Sequence, residues 1–422
     1  MEFIREQIKE KPINKKRIAK KLGLAALCGV VFAAAVCVVM LIFMPVLRGA
    51  LLAGVGESTE NTESNSESGT GTTEMESESE SESATEPDTS HGDVPEFNLS
   101  IDDYQKLQNE LYSIGNEANK SIVTVTTVVS ETDWMNNAYE TEGQGSGVIV
   151  SADDNYFYVL TEKKVIQDAS HVRVTFIDES STDATLLKYD GNTGVAILAV
   201  EKRQVEAKTK GAISIAKMGN SFSVNNGSIV IALGSPLGTN YSILTGNITS
   251  TTNQIMTLDK NYGVFTTDIV ASENGSGILI NTKGEIVGMV IQAFSGSQDI
   301  STLTAVSISE IGGIIDRLVD GKDVPYVGLY VSTVTNDISV AYDIPKGVFI
   351  KEVQTDSPAM FAGLQSGDVI THINGEEIYT DATYSTKIRM LIPGTTCEIT
   401  VQRQNGNDYM EIKCEVEIGV LE

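Results

Sequence analysis

Thiols and imidazoles supply most nucleophiles, bases and metal ligands near neutral pH. This chain has four cysteines and three histidines. His91, His171 and His372 are scattered, and no CxxC or Cys/His cluster has metal-ligand spacing, so neither a zinc site nor a cofactor is expected. Cys28 and Cys37 lie inside an apolar run, where a thiol behaves as a small hydrophobe. Cys397 and Cys414 sit differently, in the β-like runs Thr396–Arg403 and Asp408–Glu417 around Asn405-Gly406. Asn-Gly is the strongest two-residue hairpin signal. With Asn405 and Gly406 as the turn, Gln404 faces Asn407 and Cys397 faces Cys414 in a non-hydrogen-bonded pair. Their Cα atoms would stand about 4.5 Å apart, within a disulfide's reach. The pair is either a disulfide or two reduced thiols packed side by side.

Oxidation depends on compartment, and the N-terminus speaks to that. Residues 1–21 are basic, with Arg5, Lys9, Lys11, Lys15, Lys16, Arg17, Lys20 and Lys21. Residues 22–47 then carry no charge, and about 20 apolar residues span a bilayer. A cleaved signal peptide would have an apolar region of only about 7–15 residues, so an uncleaved transmembrane helix is the better reading. Basic residues before the span and acidic ones after it put the N-terminus in the cytoplasm and the rest outside a cell membrane. Residues 48–99 are Ser/Glu-rich, as in Met75-Glu-Ser-Glu-Ser-Glu-Ser-Glu-Ser83, and lack the apolar side chains that would offset ordering entropy. They read as a disordered acidic stalk. The net charge of −27 argues against nucleic acid as a partner, since phosphate binding needs clustered Lys and Arg.

Residues 101–119 place apolar side chains at helical spacing behind Ser100, a suitable N-cap. From Ser121 onward the sequence turns to short β-branched runs separated by turns: Ile122–Val129, Gly147–Val150, Tyr156–Leu160, Val172–Phe176, Val195–Val200, Ser228–Leu233, Val264–Thr267, Ile278–Ile280 and Ile286–Ile291. Many short strands with no helices between them describe a mainly β sandwich or barrel. After about Gly321 a second unit mixes strands with a helix near Ala382–Leu391.

Several segments, in collinear order, resemble the HtrA (DegP-like) serine proteases. They are Gly145-Ser-Gly-Val-Ile-Val150, Thr161-Glu-Lys-Lys-Val-Ile166, Asn192-Thr-Gly-Val-Ala-Ile-Leu198, Ala232-Leu-Gly-Ser-Pro-Leu-Gly238 with Thr245-Gly-Asn-Ile-Thr-Ser250, and Glu273-Asn-Gly-Ser-Gly-Ile-Leu-Ile-Asn281. The resemblance implies a trypsin-like double β-barrel over 100–320 and, in such a family, a serine endopeptidase in extracytoplasmic quality control, often a homotrimer. The triad positions depart from the pattern. Lys164 stands where the family has histidine and Gly194 where it has aspartate. The nucleophile position falls on Gly275, or on Ser276 if a gap is allowed. A serine nucleophile needs a base, and the base an orienting carboxylate. The expectation is therefore a degenerate member, and an active Ser276–Lys164 enzyme is the rival.

The C-terminal part, 321–422, resembles an HtrA-type PDZ domain of α+β build. Tyr326-Val-Gly-Leu329 matches the carboxylate-binding loop, followed by Gly347-Val-Phe-Ile350, Ser357-Pro-Ala359, Ala362-Gly-Leu364, Gly367-Asp-Val-Ile370 and Ile373-Asn-Gly375. PDZ domains add an extended peptide as a strand and hold its C-terminal carboxylate with backbone N–H groups. The resemblance implies that Tyr326, Val327, Gly328 and Leu329 bind the C-termini of peptides or unfolded proteins. Tyr384 and Ile388 either line the groove or form the core face of their helix.

Overall fold

Helix α1 (Ile101–Ala118) begins at Ser100, whose hydroxyl oxygen accepts from the Asp103 N–H while the Asp103 carboxylate accepts from the Ser100 N–H. This reciprocal cap satisfies two amide groups that a helix start leaves open. The computed structural model describes residues 100–132, 138–167, 169–295, 301–406 and 408–421, all within the compact unit Pro95–Glu422. The expected basic segment, membrane span and stalk lie outside the described residues. Among the described residues no helix is long and apolar enough to cross a membrane.

Six strands close a first barrel in the order β1-β2-β3-β6-β5-β4. They are β1 (Ile122–Thr132), β2 (Ala138–Ala152), β3 (Tyr156–Glu162), β4 (His171–Thr175), β5 (Ser181–Tyr189) and β6 (Val195–Glu201). Helix α2 (Lys163–Ile166) follows β3 directly. The second sheet contains β7 (Lys217–Met218), β8 (Ile229–Ser235), β9 (Ser242–Met256), β10 (Asn261–Val270), β11 (Ser276–Ile280), β12 (Glu285–Ile291) and β13 (Thr302–Ser307). Its order is β11-β8-β9-β10-β13-β12-β7, and an added β11–β12 pairing closes the ring.

Side-chain alternation explains why these runs are so uniformly apolar. In β6, Val195 and Ile197 face the core between the barrels, while Ala196, Leu198 and Val200 face the first barrel's interior. In β8, Ile231 and Leu233 join the shared core, and Val230 and Ala232 fill the second barrel. A strand buried on both faces cannot alternate apolar with polar residues. Each fully buried Ile or Leu stabilises the fold by about 1.5–3 kcal/mol. Strands β5 and β9 carry many polar, exposed side chains, which is why apolar pattern alone does not announce them.

Helix α3 (Ile308–Val319) leads out of the second barrel. A third sheet follows in the order β14-β15-β16-β18-β19, with β17 beside β16. Its strands are β14 (Leu329–Thr333), β15 (Val348–Val353), β16 (Val369–Ile373), β17 (Glu376–Glu377), β18 (Thr396–Asn405) and β19 (Asp408–Glu417). Helix α4 (Asp381–Met390) packs on it, burying Tyr384 and Ile388 in this sheet's own core. The Arg317 guanidinium of α3 donates to the carbonyls of Arg389 at 3.2 Å and Leu391 at 3.1 Å, capping the end of α4 from the barrel side.

The β18–β19 hairpin corrects the expected thiol pair. Asn405 faces Asp408, so the turn sits one residue further along than Asn405-Gly406. Cys397 consequently faces Val416, and Cys414 faces Ile399. Moving both ends of the turn by one residue keeps the two side chains on the same buried face but sets them diagonally, about 7–8 Å apart at Cα, beyond disulfide reach. Both thiols are free and buried, and burial pushes each above the usual thiol range.

Candidate functional site

The three triad positions lie on α2, in the Asp190–Val195 turn and at the start of β11. The Lys163 N–H donates to the Gly194 carbonyl at 2.7 Å, so α2 and that turn are neighbours. Lys164 Nζ lies 3.0 Å from Glu162 Oε2 and is partly exposed, whereas the Glu162 side chain is buried. Burial lifts the Glu162 carboxyl to about 7, and the charge and hydrogen bond of Lys164 act against that rise. A lysine becomes a base when burial strips its water and no carboxylate answers its charge. Lys164 meets neither condition. Gly194 has a φ of +74°, and a Cβ built there would meet no atom within 4 Å. The nearest carboxylate along the chain, Asp190, is buried and committed to its own turn, accepting from the Thr193 hydroxyl at 2.6 Å and N–H at 3.1 Å. Burial pushes its pKa up against these bonds.

At the nucleophile segment a Cβ on Gly275 would lie 2.7 Å from the Pro236 carbonyl oxygen and 3.0 Å from that of Ser272. Real Cβ atoms do not approach backbone so closely, so this position has no space for a side chain. Ser276 opens β11 with its hydroxyl buried, where Oγ accepts from the Ser146 N–H at 3.0 Å. Among the described residues no hydrogen bond joins Ser276 to Lys164. His171 is exposed at the start of β4.

The loop before β14 is a second candidate site. The N–H groups of Val327, Gly328 and Leu329 converge on one point, an arrangement that suits an anion. Gly328 adopts φ +96°, which L side chains avoid, and a Cβ there would sit 2.4 Å from Ser357 Cβ. Glycine is thus needed for packing as well as for access. That point is filled by Asp259, which lies between β9 and β10. Its Oδ2 accepts from Val327 N–H at 2.7 Å and Gly328 N–H at 2.9 Å. Its Oδ1 accepts from Leu329 N–H at 3.1 Å and the Tyr384 hydroxyl at 2.8 Å. The Asp259 N–H donates to the Leu329 carbonyl at 2.7 Å, and the Ser385 hydroxyl donates to the Asp259 carbonyl at 2.8 Å. Full burial pushes the carboxyl upward against the pull of its amide donors.

Comparison with known proteins fits this architecture. Residues 145–289 match the family model of the trypsin-like peptidase domain, and residues 325–414 that of the PDZ domain. A probable periplasmic serine endoprotease DegP-like of Ectopseudomonas mendocina is 32% identical over 288 residues, 67% of this chain and 57% of that protein. A protein of the same description from Pseudomonas fulva is 29% identical over 279 residues, 65% of this chain and 56% of that one. The chain thus combines a trypsin-like peptidase domain with a PDZ domain and is similar to the DegP-like (HtrA) proteases. It spans a little over half the length of the curated HtrA relatives it matches. A solved HtrA-type protease, AlgW with decapeptide, shares the fold with a TM-score of 0.54 at 22% identity, covering 74% of this chain and 98% of that one.

The structure brings α2 beside the Gly194 turn and the N–H groups of residues 327–329 to a common point. The Tyr384 ring lies in the core of its sheet, and its hydroxyl donates to Asp259. Ile388 and Tyr326 are buried next to the same site. Sequence reasoning missed Asp259, Asn192, Ser385 and Asp190. The available signal was small: Asp259 and Asp190 lie in polar turns whose distant partners no local pattern specifies.

Proposed function

We propose that this chain is a membrane-anchored HtrA-family protein that captures peptide or unfolded-protein C-termini in its PDZ domain without cutting them. It would act on the extracytoplasmic face as an adaptor, sensor or chaperone. The observation that carries this reading is the absence of a base–nucleophile pair at the family's catalytic positions. Lys164 is paired with Glu162, Gly194 offers no carboxylate, Gly275 has no space for a side chain, and Ser276 bonds a backbone amide. Hydrolysis by this fold requires a proton to pass from the serine to a neighbouring base, and among the described residues no hydrogen bond joins Ser276 to a side-chain base. Activity resides in the site and not in the fold. The run 22–47 and the periplasmic names of the relatives support the anchor and the compartment, and family resemblance suggests a homotrimer.

The second reading is an active endopeptidase. The relatives are named as serine endoproteases, and taken alone the comparisons favour this reading over the first. A degradation assay separates them. Purified full-length chain in detergent is expected to leave casein intact over hours. Casein cleavage that disappears in Ser276→Ala would return the function to the endopeptidase.

A further inference from the structure

We propose that Asp259 is an internal ligand of the PDZ carboxylate site, so that an external peptide C-terminus binds only by displacing it. The inference rests on the peptide-binding reading above and adds to it how the site is regulated. A carboxylate has two oxygens that accept but never donate. Asp259 uses both, each with two donors, and four donors on one side chain are what a peptide's terminal carboxylate would otherwise recruit. The backbone imitates a ligand too. The Asp259 N–H occupies the Leu329 carbonyl, the first acceptor that an added strand would use. Two residues on, the Asn261 side-chain amide donates to the Val331 carbonyl at 3.4 Å and to Asp381 on α4 at 2.8 Å. The segment from Asp259 to Asn261 thus bridges β14 and α4, the two walls of the groove. On its barrel side Asp259 borders a cavity of about 30 Å³, shared with Asn192, Ile314 and Arg389.

The plug is held from behind. Asn192 donates to the Leu258 carbonyl at 2.7 Å and accepts from the Leu258 N–H at 3.2 Å, fastening the residue before Asp259 to the first barrel. Asp259 itself has φ +59°, a left-handed conformation that Asp and Asn tolerate better than other side chains. Asp259→Asn therefore keeps the turn but points an NH₂ donor at groups that are themselves donors.

The test uses full-length chain in detergent and fluorescein-labelled random heptapeptide pools, with either a free or an amidated C-terminus. Asp259→Asn is expected to bind the free-carboxylate pool at least tenfold more tightly than wild type, with no gain for the amidated pool. Asn192→Ala, which lies outside the groove, is expected to shift affinity in the same direction by a smaller factor. Equal affinity of wild type and Asp259→Asn for the free-carboxylate pool would overturn the internal ligand while leaving peptide binding standing. If neither chain binds any pool, the peptide-binding reading itself fails, and hydrogen exchange then decides the internal ligand alone. Amides of Val327, Gly328 and Leu329 should exchange faster in Asp259→Ala than in wild type, with protection restored by acetate and not by chloride. Unchanged protection in Asp259→Ala would refute occupation of the loop by Asp259.

Discussion

In the proposed protease site, chemistry would depend on three side chains, at the positions that the resemblance assigns to Lys164, Gly194 and either Gly275 or Ser276. In the PDZ loop, chemistry depends on the backbone N–H groups of Val327, Gly328 and Leu329, which every residue but proline supplies. The barrels keep a trypsin-like fold around the first site, and on our proposal the groups that would move a proton are replaced. The loop keeps its donors, and what varies there is occupancy: Asp259 already bonds all three amides. A site made of side chains is lost by substitution, whereas a site made of backbone is closed by filling it. The first event is visible in a sequence position by position. The second requires a contact across 68–70 residues.

The scaffold around the first site should remain as demanding as in an enzyme. Gly277 has φ +136°, and a Cβ there would stand 2.0 Å from the Leu233 carbonyl oxygen. Gly277→Ala is expected to destabilise the fold by about 4 kcal/mol or more, read from urea unfolding, because the atoms it would meet are backbone of β8 and cannot swing aside. A cost below about 1 kcal/mol would mean that the site has relaxed and that the contrast between preserved frame and replaced chemistry is overstated.

Glu162 gives a smaller effect with a defined sign. Its carboxyl is raised to about 7 from an ordinary 4.5. Between those values the folded chain keeps a proton that the unfolded chain has released. Its contribution is therefore full below about pH 4.5 and lost as pH rises through 7. Over that window wild type should lose roughly 3 kcal/mol more stability than Glu162→Gln. Parallel stability curves for the two proteins would show that Glu162 is not held in this buried, partly paired state.

The thiols provide the smallest expected effect. With Cys397 and Cys414 diagonal and free, adding reductant should leave the unfolding midpoint unchanged, and unreduced denatured protein should take up alkylating reagent at both positions. A drop in midpoint on reduction would restore the facing register.

Much of the fold could be read from the chain because burial on both faces of β6, β8 and β11 leaves unbroken apolar runs, and because positive-φ positions such as Gly328 demand glycine. The departures at Lys164, Gly194 and Gly275 or Ser276 could be seen because the matching segments run in collinear order on either side of them. The hairpin register was not legible. Asn405-Gly406 offers a good turn, but the ladder beyond it, with Ile399, Val401, Cys414 and Val416 packed inward, is also satisfied by a turn one residue later. Asp259 was not legible either, because its donors come from a loop and a helix far along the chain, and nothing in Leu258-Asp259-Lys260 marks it as a ligand.

The central claim, binding without cutting, is tested most directly by a fluorophosphonate probe, which labels a serine only when a base activates it. The measurement should use both wild type and Asp259→Asn, so that a filled groove cannot account for silence. The account predicts no labelling of either full-length protein by intact mass, with or without saturating free-carboxylate peptide. A single adduct at Ser276 that vanishes in Ser276→Ala would contradict it.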